Sequence, residues 1–313
     1  MERVSTGSQT VTLFVLLGFH DVPELHLLLL SVLTAVYAST ITGNTFIVVV
    51  VLNSHRLHMP MYFFLANLSV MEILYASTAI PKMLEGFLQE AAISVAGCLV
   101  QFFIFGSLAT DECFLLAVMA YDRYLAICQP LRYPFLMGPR WYLGLMLTAW
   151  LSGFMVDGLI VVLMSQVMFC GPNHIDRFYC DFSPLMLGLA CSDTGVAQMT
   201  TFTLSVVFIT VPFGLVLVTY SRNGVVLRVP SGASRTKAFS TCSSHLVVVS
   251  TFYASLRALY IAPSAIHSQL LPKVFALLYT VVTLIFNPVV YTLRNQEVLQ
   301  ALRRLLCCKP IEV

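Results

Sequence analysis

The chain has 313 residues, of which 58% are hydrophobic and only 10% are charged. Soluble domains of this size carry about 25% charged residues, so the composition excludes a protein whose whole surface faces water. The formal net charge of +2 and the lack of any basic run in the sequence argue against nucleic-acid binding and favour an integral membrane protein.

Seven apolar stretches of the sequence are long enough to cross a bilayer, whose hydrocarbon core of about 30 Å needs roughly 20 residues of helix. Four stretches contain no Asp, Glu, Lys or Arg, and three become apolar once embedded acids are allowed. The sequence therefore predicts an all-α membrane protein, a seven-transmembrane helix bundle. In chain order, the predicted spans lie near 25–52, 59–87, 95–128, 140–165, 194–221, 238–256 and 274–293.

Basic residues predict the orientation of these spans, because Lys and Arg accumulate in cytosolic loops. With seven spans, the two termini lie on opposite sides. We expect residues 1–24 to be extracellular, 25–293 to form the seven-transmembrane domain and 294–313 to form a cytosolic tail with a short amphipathic helix. Of the 17 basic residues, 12 lie on the predicted cytosolic side: Arg56, Arg123, Arg132, Arg140, Arg222, Arg228, Arg235, Lys237, Arg294, Arg303, Arg304 and Lys309.

The cysteines agree with this orientation. Cys98 opens the third span on the outer side, and Cys170, Cys180 and Cys191 lie in the long outer loop after the fourth span. Four cysteines in an oxidising compartment predict two disulfides, for which the sequence alone permits three pairings. In the tail, Cys307 and Cys308 follow an amphipathic run and are predicted sites of S-palmitoylation, with two unmodified thiols as the alternative.

Five motifs in the right order on the right spans resemble the vertebrate olfactory receptors, within the rhodopsin-like G-protein-coupled receptors. The resemblance covers essentially the whole chain. It is carried by Gly43–Asn44, PMYFFLANLS (60–69), MAYDRYLAIC (119–128), SRTKAFSTCSSHL (234–246) and NPVVYTLRN (287–295).

The cytosolic end of the third span carries the first of the activation elements that this resemblance implies. Cys98 and Arg123 are 25 residues apart, about 37 Å of helix, which is enough to cross the membrane. An arginine held there by Asp122 can be released to a partner protein. The simpler alternative is that its positive charge only anchors this end of the span on the cytosolic side. The residues implied in G-protein coupling and activation are Asp122, Arg123, Tyr124, Tyr220, His245, Asn287, Pro288 and Tyr291.

The family pattern also implies two disulfides and a cation site. Cys98 would pair with Cys180, and Cys170 with Cys191. Glu72 and Glu112 are acids in mid-membrane that would line a polar cavity with Asn44 and Asn287, where a sodium ion binds. A protonated, hydrogen-bonded pair of acids is the alternative. No other cofactor or metal is expected.

The resemblance places the ligand pocket in the outer half of the bundle, between spans three, five, six and seven. Its lining would be mostly apolar with a few hydroxyls, which suits a small hydrophobic ligand, although each residue could instead serve helix packing. The implied pocket residues are Phe105, Gly106, Ala109, Thr110, Leu204, Ser205, Phe208, Tyr253, Leu256, Arg257, Tyr260, Leu277 and Thr280.

Arg257 departs from the family pattern, which usually has an aliphatic residue there. A buried guanidinium needs an anionic partner. Asp157 lies at a similar depth and is favoured over the deeper Asp111. The two hypotheses are a structural ion pair and a clamp on an acceptor group of the ligand.

The resemblance implies an odorant receptor of the plasma membrane, surrounded by lipid, that activates a stimulatory olfactory-type heterotrimeric G protein and raises cyclic AMP. A chemosensory receptor outside the nose is the alternative within the same class. A membrane transporter is disfavoured because the sequence has no internal repeat. An enzyme is not expected, because no nucleophile–base or metal-ligand spacing occurs.

Overall fold

The computed structural model describes residues 11–18, 26–54, 57, 59–170, 173–227, 243 and 245–254, and residues 273–285 apart from 275, 279 and 282. Five of its helices are long and apolar enough to cross a membrane, and they coincide with the first five predicted spans. Two shorter apolar helices fall within the sixth and seventh predicted spans. The helices are α1 (His26–Asn53), α2 (Pro60–Leu88), α3 (Val95–Cys128), the short α4 (Tyr133–Leu136), α5 (Pro139–Ser165), α6 (Gly195–Leu227), α7 (His245–Ala254) and α8 (Ala276–Ile285).

Local sequence signals set where several of these helices begin. Pro60 and Pro139 occupy first-turn positions of α2 and α5, where the missing N–H is not needed and the fixed φ favours the helix. Ser94 caps α3, since its hydroxyl accepts a hydrogen bond of 3.0 Å from the N–H of Gly97. The spans therefore start at residues whose chemistry favours a helix start.

Helix α3 is the central element of the bundle. It packs against α2, α5 and α6, while α1 packs against α2. Its 34 residues measure about 51 Å, longer than the bilayer core, so both of its ends reach the polar regions. Large apolar side chains point away from the bundle, such as Leu27, Trp141 and Met155 with 81%, 66% and 74% exposure. An apolar outer surface of this kind fits contact with lipid rather than water.

A small sheet covers the outer end of the bundle, which the sequence analysis did not predict. Strand β1 (Leu13–Leu16) pairs antiparallel with β2 (Ala91–Ser94) and parallel with β3 (His174–Ile175). The segment before α1 is thereby attached to two outer loops. Phe14 is buried beneath the sheet and contacts Phe169 edge to face, with ring centroids 5.5 Å apart.

Two disulfides fasten the loop that follows α5. Cys98 at the start of α3 is bonded to Cys180, and Cys170 is bonded to Cys191, with Cα–Cα distances of 5.4 and 5.9 Å. Both pairings are those implied by the resemblance. Cys98 and Cys180 are fully buried, so the first bridge is part of the outer hydrophobic cluster as well as a covalent link.

We expect Cys98→Ser to lower the amount of chain at the cell surface severely, because a native disulfide contributes about 2–4 kcal/mol and this one closes a loop of 82 residues. Cys128→Ser is the matched control, since Cys128 has no disulfide and lies at the other end of α3. Flow cytometry of an epitope tag measures both variants. Equal surface levels for the two would contradict the structural importance of the bridge.

Candidate functional site

The C-terminal end of α3, predicted to face the cytosol, holds an ion pair between neighbouring residues. Arg123 donates to Oδ2 of Asp122 through Nη2 at 2.6 Å and Nε at 3.2 Å. The Asp122 side chain is 1% exposed, whereas that of Arg123 is 19% exposed. The pair therefore has a buried acceptor and a partly exposed cation.

Tyr133 on α4 completes this arrangement. Its hydroxyl donates to Oδ1 of Asp122 at 2.7 Å, so one carboxylate holds both the arginine of α3 and the loop that follows α3. Burial, and then the adjacent Asp122 carboxylate, raise the pKa of Tyr133, which keeps the phenol protonated and donating. Sequence reasoning missed Tyr133, which lies ten residues after Arg123 in the loop that follows α3.

Helices α6 and α7 are joined near the same end. The Tyr220 hydroxyl and Nδ1 of His245 share a hydrogen bond of 2.6 Å, and His245 is 2% exposed. Tyr124 is half-buried and stacks on Tyr121. The structure thus brings Asp122 and Arg123 together as one contact and Tyr220 and His245 as another.

Two of the implied sodium-site residues meet in the middle of the bundle. Asn44 Nδ2 donates to Oε2 of Glu72 at 3.0 Å, which joins α1 to α2. Glu112 on α3 is also buried, with 7% exposure. Carboxylate oxygens are ligands that suit a hard cation such as sodium.

The outer half of the bundle contains a wall of aromatic rings built around Phe105. Its ring stacks on Tyr75 of α2 at 4.3 Å and lies 4.7 Å from Tyr179 of the outer loop. Deeper in the bundle, Tyr253 on α7 contacts Phe213 on α6 with a centroid distance of 4.6 Å. These contacts place aromatic side chains on α3, α6 and α7, and the ligand pocket between these helices is still a prediction.

The remaining predicted pocket residues differ in burial. Gly106, Ala109 and Thr110 are all half-buried and lie on one face of α3. On α6, Leu204 and Phe208 are half-buried, whereas Ser205 is exposed. Phe208 contacts Phe114 of α3 at 5.7 Å. On α8, Leu277 packs against the core and Thr280 is fully buried, donating to the carbonyl of Ala276 at 2.9 Å.

Several predicted residues lie outside the described part of the chain, and the Arg257 hypotheses are therefore still predictions. Within the described part, Asp157 accepts a hydrogen bond of 3.1 Å from the Thr110 hydroxyl, and Asp111 accepts one of 2.8 Å from the N–H of Gly153. The predicted residues outside are Leu256, Arg257, Tyr260, Asn287, Pro288, Tyr291, Cys307 and Cys308.

Comparison with known proteins decides the family. The olfactory receptor family model matches residues 33–309. Human olfactory receptor 11A1 is 69% identical over 313 residues, covering 100% of this chain and 99% of the relative. Rat olfactory receptor 226 is 43% identical, covering 98% and 95%. The chain belongs to the olfactory receptor family.

The fold of this olfactory receptor also resembles the crystal structure of squid rhodopsin. The TM-score is 0.69 at 15% identity, covering 93% of this chain and 89% of that one. This likeness confirms the predicted all-α seven-transmembrane class, and the tail helix lies outside the described residues. Membership in the family makes the chain a multi-pass membrane receptor for odorants that couples to G proteins, and it confirms that the chain is not an enzyme.

The structure adds two polar contacts at the outer end of the receptor that the sequence analysis missed. Gln101 on α3 donates to the carbonyl of Thr78 at 3.2 Å and accepts from the N–H of Cys180 at 3.1 Å, so it fixes the outer loop beside the disulfide. Lys273, 3% exposed and next to α8, forms an ion pair with Asp176 of the same loop. In both contacts the partners are far apart in sequence, so no local sequence pattern could have predicted the contacts.

We expect Lys273→Met to lower the melting temperature of the purified receptor in detergent. Removing one partner of a buried ion pair costs up to about 3–5 kcal/mol, and less where the other partner is partly exposed, as Asp176 is. Glu85→Gln is the matched control, because Glu85 pairs with Lys82 one turn away on α2 and such local pairs contribute about 0.3–0.5 kcal/mol. The exchanged variant with Asp176→Lys and Lys273→Asp should recover part of the loss; no recovery would argue against the ion pair.

Proposed function

We propose that this olfactory receptor binds small, mostly hydrophobic volatile molecules in a pocket in the outer half of the bundle. Binding there activates a stimulatory olfactory-type heterotrimeric G protein and raises cyclic AMP. The receptor lies in the plasma membrane with its N-terminus outside the cell and its tail in the cytosol.

The orientation is supported by chemistry at both ends of α3. The end that begins near Cys98 carries the two disulfides, which form in oxidising compartments. The other end carries Arg123 and leads into a loop with Arg132 and Arg140, as the positive-inside tendency requires of a cytosolic face.

The signalling proposal rests mainly on the contact between Asp122 and Arg123. Because the same carboxylate holds Tyr133, the loop after α3 is fixed together with the arginine. A G protein that binds Arg123 has to compete with Asp122 for it. The structure therefore supplies a resting arrangement whose release would uncover a cationic docking point.

The pocket proposal is supported by the composition of the walls. Phe105, Phe208 and Tyr253 bring aromatic surface from three helices, and Thr110 adds a hydroxyl. Mostly apolar walls with few polar groups suit a small hydrophobic molecule. A ligand that contacts these walls better in the active packing shifts the population toward that packing.

The direct test is a cyclic AMP reporter in cells that express the full-length receptor with a surface tag, exposed to a chemically varied odorant panel. At least one odorant should raise cyclic AMP in cells with the receptor and not in cells without it. Replacing the stimulatory G protein by an inhibitory one should abolish the signal. A receptor at the cell surface that responds to nothing on the panel would contradict the proposal.

We expect Asp122→Asn to raise basal cyclic AMP, because the amide holds Arg123 less firmly. Removing about 1 kcal/mol from the resting arrangement shifts the equilibrium about fivefold. Arg123→Ala should abolish the odorant response at an unchanged surface level, because it removes the docking cation. Basal activity that is the same in Asp122→Asn and in the unaltered receptor would show that the ion pair does not restrain signalling.

A sodium ion held by Glu72 and Glu112 is part of the proposal, since the two carboxylates would supply oxygen ligands and Asn44 donates a hydrogen bond to Glu72. Replacing external sodium with N-methylglucamine should change the potency of an agonist for the unaltered receptor. The change should disappear in Glu112→Gln, which removes a negative charge at nearly constant volume. Potency that does not depend on sodium in either receptor would favour the hydrogen-bonded acids instead.

A further inference from the structure

Two aspartates lie at the interface between α3 and α5, and the carboxyl group of each lies directly against a glycine of the facing helix. A Cβ atom at Gly106 of α3 would overlap Oδ1 of Asp157 on α5. A Cβ atom at Gly153 of α5 would overlap Oδ1 of Asp111 on α3. Each carboxyl group thus occupies the space that a side chain on the facing helix would otherwise fill.

The two aspartates differ in what surrounds them. Asp111 is 0% exposed and accepts from the backbone N–H of Gly153, itself buried, so its carboxyl lies inside the helix contact. Asp157 is 5% exposed and accepts from Thr110, and it lies against Gly106. Gly106 and Thr110 are half-buried, and both belong to the α3 face that is expected to line the pocket.

Glycine at position 106 is the feature that connects Asp157 with that face. With any larger residue there, the carboxyl group would have to move away. Because Gly106 has no side chain, the Asp157 carboxyl group from α5 takes the place of a side chain at this point of the α3 face that is expected to line the pocket. Asp157, which the sequence analysis favoured as the partner of Arg257, is thereby placed beside the candidate ligand site.

Within the described part of the chain, the Asp157 carboxyl group keeps acceptor capacity for a ligand. A carboxyl group has about four acceptor positions when ionised and retains some of them when protonated, and among the described residues Thr110 fills one position on Oδ2. In an apolar cavity, a ligand donor that reaches such an acceptor gains strongly over an analogue that lacks the donor. The effect appears as discrimination between closely related ligands.

We propose that the Asp157 carboxyl group, reached over Gly106, is a polar anchor of the odorant site and selects odorants that carry a hydroxyl hydrogen-bond donor. This inference rests on the proposed binding of odorants in the outer half of the bundle. It specifies the ligand class and adds α5 to the helices that form the pocket.

The test compares alcohols with their methyl ethers, which keep the carbon chain of the alcohol, carry one more methyl group on the oxygen and lose the donor. Straight-chain and cyclic alcohols are applied to the full-length receptor, and cyclic AMP and surface tag are measured together. We expect alcohols to be at least about tenfold more potent than their ethers. Equal potency of alcohols and ethers in the unaltered receptor would overturn the proposal.

The variants separate anchoring from packing. Asp157→Leu should weaken alcohols about tenfold and leave ethers nearly unchanged, and Gly106→Ala should act in the same direction because it displaces the carboxyl group. Asp111→Asn and Gly153→Ala are the matched controls at the buried contact: they should lower the surface level without changing the alcohol-to-ether ratio. A ratio that survives Asp157→Leu at comparable surface level contradicts the anchor.

The ion pair between Asp157 and Arg257 that was predicted from the sequence leads to a different pattern of responses in the variants. If Asp157 serves only that pair, Asp157→Leu and Arg257→Leu lose alcohol and ether responses equally, which overturns the anchor.

A receptor at the surface that gives no cyclic AMP with any probe contradicts the proposed function rather than the site. In that event, Asp157→Cys is treated with an extracellular methanethiosulfonate reagent, with Asp111→Cys and the unaltered receptor as controls. Labelling at position 157 alone supports a carboxyl group open to the pocket, and lack of labelling there excludes it.

Discussion

The polar groups carried by α3 must find their partners inside the protein, because the hydrocarbon around the bundle offers no hydrogen bonds. Asp111 has the N–H of Gly153 and Asp122 has both Arg123 and Tyr133. Gly153 belongs to α5 and Tyr133 to α4, so two of these contacts fix neighbouring elements against α3, whereas Arg123 is the next residue of α3 itself. Polar contacts therefore add to the apolar packing that holds α3 among its neighbours.

The outer end of the bundle shows how the same requirement shapes the loops. A loop covering a hydrophobic cavity exposes its backbone to an apolar environment unless the backbone groups are paired. Strand β1 pairs with β2 and β3, and Gln101 accepts the N–H of Cys180 beside the disulfide. The roof over the candidate pocket is consequently rigid at Cys98, the residue from which α3 descends toward Arg123.

Sequence patterns predicted the features that depend on composition and local chemistry. The lengths of the apolar stretches gave the first five membrane helices almost to the residue, as at Val95–Cys128, because a bilayer sets both length and polarity. The disulfide pairing and the Asp122–Arg123 contact followed from the motifs. Three contacts could not be predicted, because each joins segments that are distant in sequence. They are the pairing of β1 with its neighbouring strands, the Lys273–Asp176 ion pair and the contact of the Asp157 carboxyl group with Gly106. The sequence shows that position 106 is a glycine, but it does not show which residue of α5 fills the space beside it, because that depends on how α5 crosses α3.

The link between the two ends of the receptor follows from the geometry of α3. Thr110 and Arg123 lie on the same continuous helix, 13 residues or about 20 Å apart. A helix of this kind transmits displacement or rotation rather than absorbing it, so a ligand that moves α3 relative to α5 at Thr110 also changes where Asp122 meets Tyr133. Pro212 leaves α6 without one backbone donor, which gives that helix a point at which to bend, whereas no proline interrupts α3. Under the proposed function, contacts in the outer half would select between two packings of the end that carries Arg123, and this difference in stiffness would let α6 bend against α3.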